Sequence, residues 1–211
     1  MRTLTRLATI LLILFAVAAT GFAQSDPASL PAKDAHEGLL VAVDPYVDVE
    51  RAKKVFGKKT PLDVGIVPIE VVFRNDNDQP ILLGLERIRL QLNPRGGERQ
   101  QLVPLAVEDV IEKMLYKGGP DVGMPRRPIP GRLPKVTKDK DYQKLEAVIR
   151  PLAFDMSLLP PKSTVRGFLF FYVGRGTAWL RYAQLYIPEL QLMTTKQPLF
   201  FFEVDLSKAR P

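Results

Sequence analysis

The sequence contains no cysteine, one histidine and one tryptophan among its 211 residues. The absence of cysteine excludes disulfides, thiol nucleophiles and thiolate metal sites, so stability must come from burial. A single histidine leaves little for triad chemistry, because a catalytic imidazole has to be held by a third group. His36 lies in the small, polar, proline-containing stretch Ser25 to Gly38, which reads as a flexible leader over 24–38. There is no Gly-x-Ser-x-Gly, and no Ser-x-x-Lys after residue 23. Gly174-Arg175-Gly176 lacks the third glycine of a dinucleotide fingerprint, and no Gly-Lys-Ser/Thr phosphate loop occurs. Asp76 and Asp78 resemble half of a calcium loop, but Ile81 and Arg87 stand where its glycine and glutamate belong. No catalytic, cofactor-binding or metal-binding residue is assigned, and no cofactor is expected. No Asn-x-Ser/Thr acceptor occurs.

Long apolar runs are also scarce, with one exception. Arg2 and Arg6 precede an uncharged stretch from Leu7 to Ala19, and Gly21-Phe22-Ala23 follows. This order reads as a secretory signal peptide over 1–23, cut ahead of Gln24. The apolar stretch is shorter than the roughly 20 residues of a membrane span, and an uncleaved inner-membrane anchor is the alternative. No later segment is long and apolar enough to span, and a bacterial periplasmic or secreted setting is expected. The formal net charge of +7 includes Arg2 and Arg6, leaving mild basicity on the exported part.

Along the chain, short strands dominate. Leu39–Val43 reads as a strand, and Asp44-Pro45 as the start of a helix whose apolar positions are Val49, Ala52, Val55 and Phe56. Val64–Arg74 alternates, with Val67, Ile69, Val71 and Phe73 on one face; Pro68 points to an edge or a bulge. Asn75–Pro80 and Asn93–Gly97 are turns between strand candidates at Ile81–Leu85, Arg87–Leu92 and Arg99–Val103. The period then changes to that of a helix at Val107, Val110, Ile111, Met114 and Leu115, and again over Asp141–Arg150. Strand candidates resume at Val165–Val173, Ala178–Ile187 and Leu199–Leu206, with a tight glycine turn at 174–176.

Two segments do not alternate. Gly167–Val173 and Leu199–Phe202 are apolar on both faces, so something must cover the second face of each. The helical stripes at 107–116 and 142–149 are the expected cover, with a partner protein as the alternative.

Asp44, Asp63, Asp155, Glu189 and Glu203 are the loop and strand-end carboxylates that an envelope hydrolase would draw on. Nothing in their spacing selects a pair; Asp44 reads as a helix cap and Glu203 as a rim residue. Arg126, Arg127, Arg132, Lys135, Lys138 and Lys140 form a proline-punctuated basic stretch that suits contact with an anionic envelope surface. Nucleic acid is not an expected partner of an exported chain.

Three stretches resemble exported bacterial proteins with an immunoglobulin-like domain of uncharacterised function. Gly65–Pro80 looks like their strand running into a polar turn, Leu159–Phe171 like their Pro-led turn entering a Gly-aromatic strand, and Leu39–Gly57 carries Asp44-Pro45-Tyr46 and Phe56-Gly57. The resemblance covers about a quarter of 24–211 and implies no activity. The lipidation cysteine of many such proteins is missing here. The expectation is a mainly β protein: an immunoglobulin-like antiparallel β-sandwich over 39–211, with a helical, Pro-rich basic insertion at about 104–161. Its expected role is an exported, non-enzymatic binding or assembly module of the cell envelope, with an unknown envelope protein or anionic surface as partner.

Overall fold

The computed structural model describes residues 26–94, 96–116 and 140–209. Residues 1–23, expected to be a signal peptide, and the basic positions Arg126, Arg127, Arg132, Lys135 and Lys138 lie outside the described residues. Within them the protein is mainly β, with three antiparallel four-stranded sheets and three α-helices. The strands are β1 (Lys33–His36), β2 (Leu39–Pro45), β3 (Ile66–Asn75), β4 (Ile81–Leu83), β5 (Arg89–Leu92), β6 (Gln100–Leu102), β7 (Leu158–Leu159), β8 (Ser163–Tyr172), β9 (Ala183–Ile187), β10 (Leu190–Leu192), β11 (Pro198–Leu199) and β12 (Phe202–Asp205). The helices are α1 (Val49–Phe56), α2 (Val107–Leu115) and α3 (Lys140–Ile149). The first sheet runs β1-β2-β3-β8, the second β11-β10-β4-β7 and the third β12-β9-β5-β6.

One core serves all three sheets. Val41, Val43, Ile69, Val71, Phe73, Leu169 and Phe171 from the first meet Leu90, Leu185, Ile187, Phe202 and Val204 from the third. Ile81, Leu83, Leu190 and Leu192 of the second sheet join the same cluster. The alternation read in β3 is thus real, since Val67, Ile69, Val71 and Phe73 all turn inward.

The opposite face of the first sheet is covered twice. Ile66, Phe168 and Phe170 lie under α1, α2 and α3, against Phe56, Val110, Ile111, Met114, Leu145 and Ile149. Leu40, Ala42 and Val72 lie under Ala28 and Leu30 of a short 3₁₀ turn at Pro27–Ser29. The two apolar faces of β8 are therefore both buried within the chain, as its sequence demanded. The cover is wider than expected, because α1, outside the 104–161 insertion, contributes to it.

Other expectations are corrected. The segment over 24–38 is not a free leader where it is described: Lys33–His36 pairs with Leu39–Ala42 as β1. Asp44 and Pro45 do not open a helix but end β2, where they pair with Glu70 and Ile69. The cap of α1 is Asp48, whose carboxylate accepts from the Arg51 N–H at 2.7 Å. β3 is an interior strand, not an edge. Pro68 is tolerated there because its carbonyl takes the Tyr46 N–H at 2.9 Å, one residue beyond the last β2–β3 pair. In an antiparallel pair that site would otherwise use the Pro68 nitrogen, so only one terminal rung is lost. The 174–176 turn does not close a hairpin, because β8 belongs to the first sheet and β9 to the third.

Asn75 is more than a turn former. It is buried at the end of β3, and its amide N–H groups reach the Gln79 carbonyl at 2.9 Å, that of Pro160 at 3.0 Å and that of Leu159 at 3.3 Å. Its Oδ1 accepts from the Asn77 N–H at 3.0 Å. One side chain thus closes the 75–79 turn and ties it to β7. Asn75→Leu leaves these backbone groups without their partner, at about 1–3 kcal/mol for each one that water cannot reach. The expected loss is about 3 kcal/mol by urea unfolding, with the slope unchanged. A loss below about 0.5 kcal/mol would show that the turn holds itself.

Candidate functional site

The third sheet differs from the first in that, among the described residues, no helix packs over its outer face. Its strands alternate by burial, with Leu90 and Leu92, Leu185 and Ile187, and Phe202 and Val204 inward. The intervening residues face outward and fall into rows. Asp205 pairs with Gln184, Gln184 with Gln91 and Gln91 with Gln101, giving a polar row across all four strands. Two residues further along, Glu203 pairs with Tyr186 and Tyr186 with Arg89. Beyond that row the Phe201 ring sits 5.5 Å from the Tyr186 ring.

Phe200 is 73% exposed and Phe201 51% exposed. The expectation that both faces of Leu199–Phe202 are covered is therefore wrong: Leu199 and Phe202 are buried and the two residues between them are not. Fully burying one such ring is worth about 1.5–3 kcal/mol, which folding leaves unused here.

The polar row ends in an open cleft of about 630 Å³, lined by Asn93, Arg181, Tyr182, Gln184, Asp205 and Ser207. The Asn93 amide donates to Gln184 Oε1 at 3.3 Å, and the Asp205 carboxylate accepts from the Ser207 N–H at 2.9 Å. These bonds use part of the hydrogen-bonding capacity of the lining Gln184 and Asp205 side chains. Arg89 is turned back onto the carbonyls of Glu86 and Ile88.

His36 is not a solvated linker residue. Its ring stacks on Phe202 at 3.8 Å with 13° between the planes. Nε2 lies 3.8 Å from the Asp34 carboxylate and Nδ1 lies 3.6 Å from that of Glu37. The carboxylates flank the ring from its two nitrogens and do not converge on one point. Both are used by the backbone: Asp34 accepts from the Glu203 N–H at 3.3 Å and Glu37 from the Phe200 N–H at 2.7 Å. The arrangement fastens β1 along the side of β12. Among the described residues no group of three or more His, Asp or Glu side chains is placed to hold a metal.

The candidate carboxylates are scattered among structural tasks. Asp44 takes the Arg51 guanidinium, one bond being 3.0 Å, and that guanidinium stands 3.8 Å over the Tyr46 ring. The Asp44 hydrogen bond holds Arg51 charged even more firmly than usual. Burial, with Glu70 beside it, raises the pKa of Tyr46, whose hydroxyl donates to Glu70 at 3.2 Å. Arg166 completes this charged seam at 3.5 Å from Glu70. Asp63 accepts from the Thr60 N–H at 2.9 Å, Glu189 pairs with Arg87 at 3.5 Å, and Asp155 is exposed. Glu203 alone lies on the bare sheet face. Of the basic stretch, Lys140 begins α3 and is exposed; the other five positions are not described.

No helix among the described residues is long and apolar enough to cross a membrane. Compared with known proteins, the chain matches no family model, no curated protein and no solved structure.

Proposed function

We propose that this chain is an exported, non-enzymatic binding or assembly module of a bacterial cell envelope, built as an immunoglobulin-like β-sandwich. The observation that carries the reading is the bare outer face of the third sheet. The first sheet buries one face in the shared core and the other under helices and a turn, yet the third keeps Phe201 exposed beside a row of amides and an open cleft. The leader-like 1–23 supports export. Arg126, Arg127, Arg132, Lys135, Lys138 and Lys140 supply a second, salt-sensitive contact with anionic envelope surfaces, each cation adding about 1 kcal/mol near such a surface.

Expression of the full chain in a bacterial host tests this. The protein released by osmotic shock should begin at Gln24 and should be retained on washed envelopes. Replacing the six cations by Gln should weaken retention at low salt, since each adds to the attraction toward an anionic surface. Full-length protein in the cytosol, or no retention by the wild type, would end the reading.

A further inference from the structure

We infer that the outer face of the β12–β9–β5–β6 sheet, with its terminal cleft, binds a linear, uncharged oligosaccharide. This rests on the binding-module reading and gives it a ligand.

The chemistry of the face selects the class. Gln184, Gln91 and Gln101 stand side by side on three adjacent strands, about 4.8 Å apart from one strand to the next. An amide donates and accepts at once, as a sugar hydroxyl does, so a row of amides suits a run of hydroxyls. Charged ligands want a surplus of one sign, and this face has none: Glu203 and Asp205 are matched by Arg89 and Arg181. An anionic lipid surface finds no attraction here.

The aromatic end supplies the other half of sugar recognition. The Phe201 and Tyr186 rings lie 5.5 Å apart on the outer side of β12 and β9, Phe201 half-exposed and Tyr186 partly buried, with no helix over them among the described residues. The negative face of an aromatic ring favours the weakly positive C–H groups on the flat side of a pyranose. Amides alone would suit many polar ligands and aromatics alone a protein patch; an amide row with an aromatic pair beside it on one sheet face suits a chain of sugar rings. The cleft at Asn93, Tyr182, Gln184 and Asp205, about 630 Å³, falls within the size range of small-ligand sites and receives the end of that chain.

The test is an amide-resonance titration of the full mature chain with two probes, cellotetraose and the N-acetylglucosamine tetramer. At least one should give saturable shifts confined to β5, β6, β9 and β12. Tyr186→Ala and Gln91→Ala, both on the bare face, should each weaken that binding at least tenfold while thermal unfolding stays within a few degrees of wild type. Absence of saturable shifts with both probes overturns the inference, as does unchanged affinity in two folded variants. Shifts on the same strands from phosphatidylglycerol vesicles, with none from the sugars, would assign the face to lipid and also overturn it. Envelope retention persisting under either of these failures would leave the binding-module reading standing and remove only the ligand.

Discussion

Phe170→Ala is expected to cost about 3–5 kcal/mol, the range for removing a buried phenylalanine, and to lower the melting temperature by roughly 10–15 °C for a chain of this size. Phe170 is 2% exposed on the outer side of β8. Its ring lies 6.4 Å from that of Phe168 and 6.1 Å from that of Phe56 of α1. It is part of the apolar contact joining the helices to the first sheet, whereas Leu169 and Phe171 point into the shared core. Damage should therefore be uneven. Hydrogen exchange should speed most in α1, α2 and α3. Trp179, the single tryptophan, belongs to the other cluster, so its native emission should barely change. A uniform rise in exchange, with a shifted Trp179 spectrum, would show that the two clusters respond as one.

Gly167→Ala should be nearly as harmful although it adds one carbon. A Cβ at this buried position would stand 2.8 Å from Phe154 Cα and 2.9 Å from Phe154 N. These are main-chain atoms, so no rotamer change relieves the overlap. The 153–154 segment lies along the free edge of β8, where the Phe154 N–H donates to the Phe168 carbonyl at 2.9 Å. Relief means pushing that segment off the edge and losing the bond. The expected cost is about 3 kcal/mol, at the upper end for an overpacked core. Thr164→Ala, exposed on the same strand, should stay within about 0.5 kcal/mol. Equal melting temperatures for these two variants would mean that the close approach yields freely.

What the sequence revealed follows from where its signals were local. The double-faced apolar run of β8, the stripe of α2 and the alternation of β3 each depend on neighbouring residues, and each took its expected form. β1 escaped notice because Lys33-Asp34-Ala35-His36 has no apolar face of its own; pairing with β2 makes it a strand. β7, β10 and β11, of two or three residues, are too short to show a period. Asp44 and Asp48 are both acceptable caps, and Asp44 is excluded only because Glu70 lies opposite it in β3. The candidate site is the extreme case. Gln91, Gln101 and Gln184 are unremarkable polar positions until register sets them in line, and register is a long-range property. The exposure of Phe200 and Phe201 was equally invisible, since an apolar run carries no label for the side that stays uncovered.

The fastening of β1 to β12 also has a kinetic consequence. The Asp34–Glu203 bond joins residues 169 positions apart, and the Glu37–Phe200 bond spans 163. β3 must likewise wait for β8, whose Tyr172 pairs with Ile66. Neither half of the chain can complete a sheet by itself, and β1, β2 and β3 of the first sheet emerge long before β8. Such non-local pairing belongs to the slow end of folding, in milliseconds to seconds. A nascent chain of this topology cannot close any of its three sheets until β7, β8, β9 and β12 have followed the early strands out, so its first half waits in an open form.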